Sequence, residues 1–109
     1  MKELILKDKA TGKTYGVVIG DTFHKRVDSR IHRFRKLNAY GIQQNILDFL
    51  QDNGVQFVQV EETDTGDIYL AALADYIRRG VPIDEGHGQQ VMLPLKYFEH
   101  VKSPHLAMF

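Results

Sequence analysis

The residues best suited to chemistry lie between His24 and Lys36. That stretch holds Lys25, Arg26, Arg30, Arg33, Arg35 and Lys36 with two histidines, His24 and His32, against a single acid, Asp28. Arginine forks bind phosphate oxygens at two points, and an aromatic ring such as Phe34 or Tyr40 beside them can stack on an unpaired base. The chemistry this combination allows is contact with nucleic acid or another polyanion, through Lys25, Arg26, Arg30, His32, Arg33, Phe34, Arg35, Lys36 and Tyr40. The competing reading is a solvated face, or a patch that meets an acidic protein surface or the acidic half of a second copy in a homodimer. Such a half exists. From Leu37 to Ile77 there is no Lys or Arg, and Asp48, Asp52, Glu61, Glu62, Asp64, Asp67 and Asp75 carry the charge. With 14 basic and 14 acidic residues the chain is neutral overall. A generic phosphate binder is basic across its whole domain, so any such binding here must be local.

Other constellations are weaker. Asp84, Glu85 and His87 place two carboxylates and an imidazole on one glycine turn, as a metal ion or an acid and base pair would require. Catalytic metal sites draw their ligands from separate fixed elements, and no HExxH spacing is present, so a polar turn is the favoured reading. The serines, Ser29 and Ser103, lie in no Gly-x-Ser-x-Gly elbow. Thr11-Gly12-Lys13-Thr14 resembles the end of a P-loop, but Asp8 stands where the upstream glycine belongs and no helix follows, so nucleotide hydrolysis is rejected. The chemistry points to a non-enzymatic binding protein with no cofactor.

Composition sets the frame for these residues. A length of 109 residues fits one domain able to bury a core. Hydrophobic content of 43% excludes a disordered chain, and the lack of cysteine excludes disulfides and thiolate metal sites, which suits a cytoplasmic location. The apolar run Leu4-Ile5-Leu6 is too short for an export signal, and no window approaches the roughly 18 apolar residues of a membrane span.

The elements that must position the basic stretch follow from pattern. Leu4–Leu6 and Tyr15–Ile19 flank a turn at Asp8–Lys13, giving one hairpin; Val55–Glu61 and Asp67–Leu73 flank Glu62–Gly66, giving a second. In Val55–Glu61 the apolar positions switch parity between Phe57 and Val58, which requires a bulge or burial on both faces. Ile42, Ile46, Phe49 and Leu50 recur at helical spacing, which predicts an amphipathic helix over residues 39 to 53 with Asn38 as its cap and Asn53-Gly54 as its stop. A short helix over 74 to 79 closes at Gly80, Val91–Leu95 reads as a last strand ended or pushed to an edge by Pro94, and the tail from Lys102 reads as loose. The expectation is an α+β domain: an antiparallel sheet of two hairpins and a C-terminal strand, covered by the helix. Its core is expected to hold Ile46, Phe49, Leu50, Phe57, Val58, Tyr69 and Leu70.

The two hairpins also resemble each other. Thr11-Gly12-Lys13-Thr14-Tyr15 aligns with Thr65-Gly66-Asp67-Ile68-Tyr69 at an offset of 54, and the match runs for 17 positions with five identities. Either a unit is duplicated, or turn and strand composition converge. Duplication predicts equivalent turns, with Gly12 and Gly66 both at positive φ.

Overall fold

The computed structural model describes residues 3–28, 38–84, 86 and 88–102. It is an α+β arrangement of two sheets and two helices. The chain runs through β1 (Leu4–Lys7), β2 (Thr14–Ile19), β3 (Thr22–Val27), β4 (Ala39–Gln43), α1 (Gln44–Asp52), β5 (Phe57–Glu62), β6 (Ile68–Ala72), α2 (Leu73–Arg79), β7 (Val81–Asp84), β8 (Gln89–Pro94), a 3-10 turn (Leu95–Tyr97) and β9 (Glu99–Lys102). The larger sheet has the order β1-β2-β3-β5-β6-β9, and the smaller one β4-β8-β7.

Both expected hairpins form, β1 with β2 and β5 with β6. The sheet is nevertheless mixed and not antiparallel throughout, because β3 pairs with β5 in parallel, from Thr22 opposite Phe57 to Val27 opposite Glu62. Parallel neighbours need a long crossover, which β4 and α1 provide. Strand β3 occupies the start of the basic stretch, where the sequence pattern had suggested no strand. Phe23 and Val27 are buried on its inner side, and that side supplies its drive to pair. The larger sheet is thus two three-stranded units side by side, β1-β2-β3 and β5-β6-β9.

The main helix is shorter than its apolar spacing implied. Ala39–Gln43 is extended, Asn38 has a φ of 47° and is no N-cap, and the helix starts after Gln43. Ile42 fits the helical series with Ile46 and also a two-residue alternation with Tyr40, and pairing with β8 from Ala39–Pro94 to Gln43–Gln90 decides between them. The helix ends as expected. Gly54 takes a φ of 71°, its N–H reaches the Gln51 carbonyl at 3.2 Å, and the Val55 N–H reaches Leu50 at 3.0 Å.

Strand β8 does not complete the larger sheet but forms the centre of the smaller one, with Pro94 as its last residue. Pro82 sits in the edge strand β7, where a missing N–H leaves no ladder bond unmade. The strand that does close the larger sheet is β9, which runs into Lys102, the first residue of the expected loose tail, and pairs it with Ile68. Residues 103–109 lie outside the described part.

The core lies between the sheets and under α1. Of the seven expected core residues, Ile46, Leu50 and Val58 are buried, whereas Phe49, Phe57, Tyr69 and Leu70 are half-buried. Strand β5 alternates without a bulge, with Val58, Val60 and Glu62 inward and Phe57 on the opposite face. The largest fully buried side chains are Tyr40, Tyr76 and Phe23, which periodicity did not single out. The Tyr40 hydroxyl donates to the buried Glu62 carboxylate, and the Tyr76 hydroxyl donates to the Tyr40 carbonyl at 3.2 Å. Burial pushes the Tyr76 phenol far above its usual pKa.

Candidate polyanion-binding cleft

Strand β3 carries the first two basic candidates on opposite faces, because successive side chains alternate. Lys25 lies on the inner face between Phe23 and Val27, and Arg26 on the outer. The stem of Lys25 is covered by the core edge, and its ammonium donates to the Gly41 carbonyl of β4 at 2.7 Å. That approach is possible because β4 lies close on β8. A Cβ on Gly41 would stand 2.5 Å from the Met92 sulfur and 2.8 Å from the Gln90 side-chain oxygen, so a larger residue there would have to displace both side chains. Burial disfavours the charged amine and pushes the Lys25 pKa down to about 8. Arg26 is exposed and faces Glu61 at 3.6 Å, its register partner on β5. A pair so open to water is held weakly.

A bulge brings a third element to the same place. Lys7 pairs with Thr14 but Leu6 with Gly16, so Tyr15 is an extra residue on β2. Bulges re-aim side chains, and here the Tyr15 hydroxyl donates to Asp8 at 3.1 Å and accepts from the Gln43 amide of β4 at 2.8 Å. Burial, then the Asp8 carboxylate, push the Tyr15 phenol up. The Ala10 N–H, then the Tyr15 hydroxyl, hold the Asp8 carboxyl below its usual pKa. Gln43 in turn stands opposite Gln90 in the β4–β8 ladder.

These groups line a cleft of about 240 Å³ between the two sheets, walled by Lys13, Thr14, Tyr15, Lys25, Arg26, Gln43 and Gln90. Its described walls carry three cations and no carboxylate. The arrangement offers a negatively charged group ammonium, hydroxyl and amide donors from several strands and a turn.

The remaining sequence candidates distribute as follows. Tyr40 is 1% exposed, its ring edge-on to Phe98 at 5.4 Å, so it presents no face to a base; the stacking expectation for Tyr40 is corrected. Arg30, His32, Arg33, Phe34, Arg35 and Lys36 lie outside the described residues. So do Glu85 and His87, while Asp84 accepts the Gly86 N–H at 2.9 Å in a local turn. Among the described residues no three His, Asp or Glu side chains are placed to hold a metal ion, and no helix is long and apolar enough to cross a membrane. Thr11–Lys13 forms a hairpin turn with Gly12 at a φ of 74°. Sequence reading missed Lys13, Gln43 and Gln90 as neighbours of Lys25. Lys13 carried a charge signal in its turn; the glutamines carried none, since only the packing of one sheet on the other brings them there. No protein family matches the chain, and no curated protein or solved structure is detectably similar to it.

Proposed function

We propose that the chain is a small binding protein that engages a polyanion, nucleic acid first, through a basic segment that begins on β3 and runs in sequence through residues 29 to 36. The observation that carries this reading is the meeting of Lys13 and Lys25 on one cleft, bordered by Arg26, whose described walls hold no carboxylate. Strand β3 is paired on both sides, with β2 and with β5, so Lys25 and Arg26 project from a rigid element. The chain leaves that strand directly into Arg30, Arg33, Arg35 and Lys36. Phosphate contacts position a polymer without reading its bases, so the reading specifies no sequence.

Fluorescence anisotropy with single-stranded and duplex oligonucleotides in about 50 mM salt tests it. Affinity should fall with salt at a log–log slope of about −0.9 per phosphate contact on duplex and about −0.7 on single strands. Replacing any one of Arg30, Arg33 and Arg35 by Ala should reduce the slope by about 1 and weaken all sequences alike. Wild-type protein that binds neither form at micromolar concentration, or a triple Ala variant that binds as wild type does, would overturn the reading.

A further inference from the structure

We infer that the cleft between the sheets is a seat for a single phosphoryl group, with the Lys25 ammonium as its floor. The inference deepens the polyanion reading and rests on it for one of two sources, a backbone phosphate; the other source is a phosphate monoester, free or at a polymer end.

Lys25 carries the argument. An ammonium has three donors. One goes to the Gly41 carbonyl, and among the described residues no carboxylate lies within ion-pair distance of the others. The stem is held beside Phe23 and Val27, both buried, so the charge cannot swing freely into water as a surface lysine does. A charge held this way, half-buried and with no carboxylate partner among the described residues, carries a cost that a bound anion removes. Burial already holds its pKa at about 8, which is the signature of that cost.

The walls specify the anion. Lys13 comes from the hairpin turn and Lys25 from the inner face of β3, so positive charge approaches from two directions, while Arg26 borders the cleft with its guanidinium turned to Glu61. A carboxylate is matched by one planar fork. A tetrahedral dianion takes several separate cations, and lysine serves phosphate as a point charge. Thr14 and the opposed pair Gln43 and Gln90 add neutral donors, with Gln43 oriented by the Asp8–Tyr15 relay. Size excludes more than the phosphoryl group. At about 240 Å³ the cleft is smaller than the roughly 300 Å³ at which pockets for whole small molecules begin, so sugar and base must lie outside.

The test is a titration with inorganic phosphate followed by amide and lysine side-chain NMR, on wild type, Lys25→Met and Gln90→Ala. The amides of Lys13–Tyr15, Lys25, Arg26, Gln43 and Gln90 should shift together. Lys25→Met, which keeps the stem, should weaken phosphate about tenfold, the loss of one charge-assisted hydrogen bond. Gln90→Ala should weaken it by a smaller factor with the spectrum otherwise unchanged. A wild-type cleft that phosphate leaves unshifted, or a folded Lys25→Met that binds as wild type does, overturns the seat. If oligonucleotides still bind with a salt slope in that case, the polyanion reading survives its failure. If phosphate binds and oligonucleotides do not, the seat stands for a monoester and the polymer reading falls. A 5′-phosphorylated oligonucleotide that outcompetes its 5′-hydroxyl counterpart supports the end-group source, and equal competition supports the backbone.

Discussion

The hairpins β1–β2 and β5–β6 have the same turn and opposite fates. In the first, the Asp8 N–H donates to the Lys13 carbonyl at 2.8 Å and the Gly12 N–H to Asp8 at 2.8 Å; in the second, Glu62 donates to Asp67 at 2.8 Å and Gly66 to Glu62 at 2.6 Å. Thr11 and Thr65 each accept the N–H two residues on, and Gly12 and Gly66 take φ of 74° and 78°. The equivalent acids, Asp8 and Glu62, each accept a tyrosine hydroxyl. Yet Asp8 belongs to the surface, whereas Glu62 is 0% exposed. Two differences separate the hairpins. Strand β1 is a sheet edge while β5 is central, and the bulge at Tyr15 has no counterpart at Tyr69, which stays in the ladder opposite Val60 and stacks on His100 at 5.0 Å. The lesson is that a turn is built locally, while burial and side-chain direction come from the strand's place in the sheet. The likeness ends at Ile19 and Leu73: a turn and β3 follow the first, and α2 begins at the second.

Substitutions at equivalent positions should break the symmetry most where burial differs most. Glu62→Ala removes the acceptor of a buried tyrosine and should cost about 3 kcal/mol by chemical denaturation. Asp8→Ala, in an open turn, should cost far less; equal losses would show that the turn itself, and not burial, sets the energy. Val58→Ala should cost about 2 kcal/mol through lost burial and a residual cavity, whereas the equivalent Leu4, 41% exposed, should cost under about 1 kcal/mol as Ala. Gly12→Ala and Gly66→Ala should behave alike, each losing about 1 kcal/mol to the left-handed backbone. Thermal melts that separate those two by more than the loss itself would mean the turns are not equivalent.

A separate contrast, read as a pH dependence, concerns Lys25 and its equivalent Arg79, which is exposed in an ion pair with Asp75 at 3.6 Å. The folded pKa of Lys25 is about 8, below its ordinary value of 10.5. Between those pH values the unfolded chain holds a proton that the folded chain has released, so stability should rise with pH across that window and be flat below it. Lys25→Met should remove the slope, and Arg79→Met should leave it. Urea midpoints measured from pH 7 upward decide between these outcomes.

Much of this molecule was legible because its signals are local. Both hairpins, the stop of α1 at Gly54 and the short helix before Gly80 were readable from turn residues and periodicity. The start of α1 was not, since Ile42 belongs both to the helical series with Ile46 and to a two-residue alternation with Tyr40, and only the presence of β8 selects the strand. The site divides in the same way. Lys25 and Arg26 stood out as charges, but alternation on β3 separates them into one enclosed and one open cation, and Tyr40 exchanged a surface role for a hydroxyl bond to Glu62.

By itself, then, the sequence determined the turns, the elements they bound and the separation of basic from acidic charge, since each depends on residues within a few positions of one another. Tertiary structure alone decided that β3 joins β5 in parallel, that β8 leaves the larger sheet for a second one, and that Lys25 ends beneath Gly41 beside Gln43 and Gln90. Those outcomes turn on which edges and apolar faces meet across long stretches of chain. Their energies are those of pairing and burial between elements, and no residue carries them until its partner has arrived.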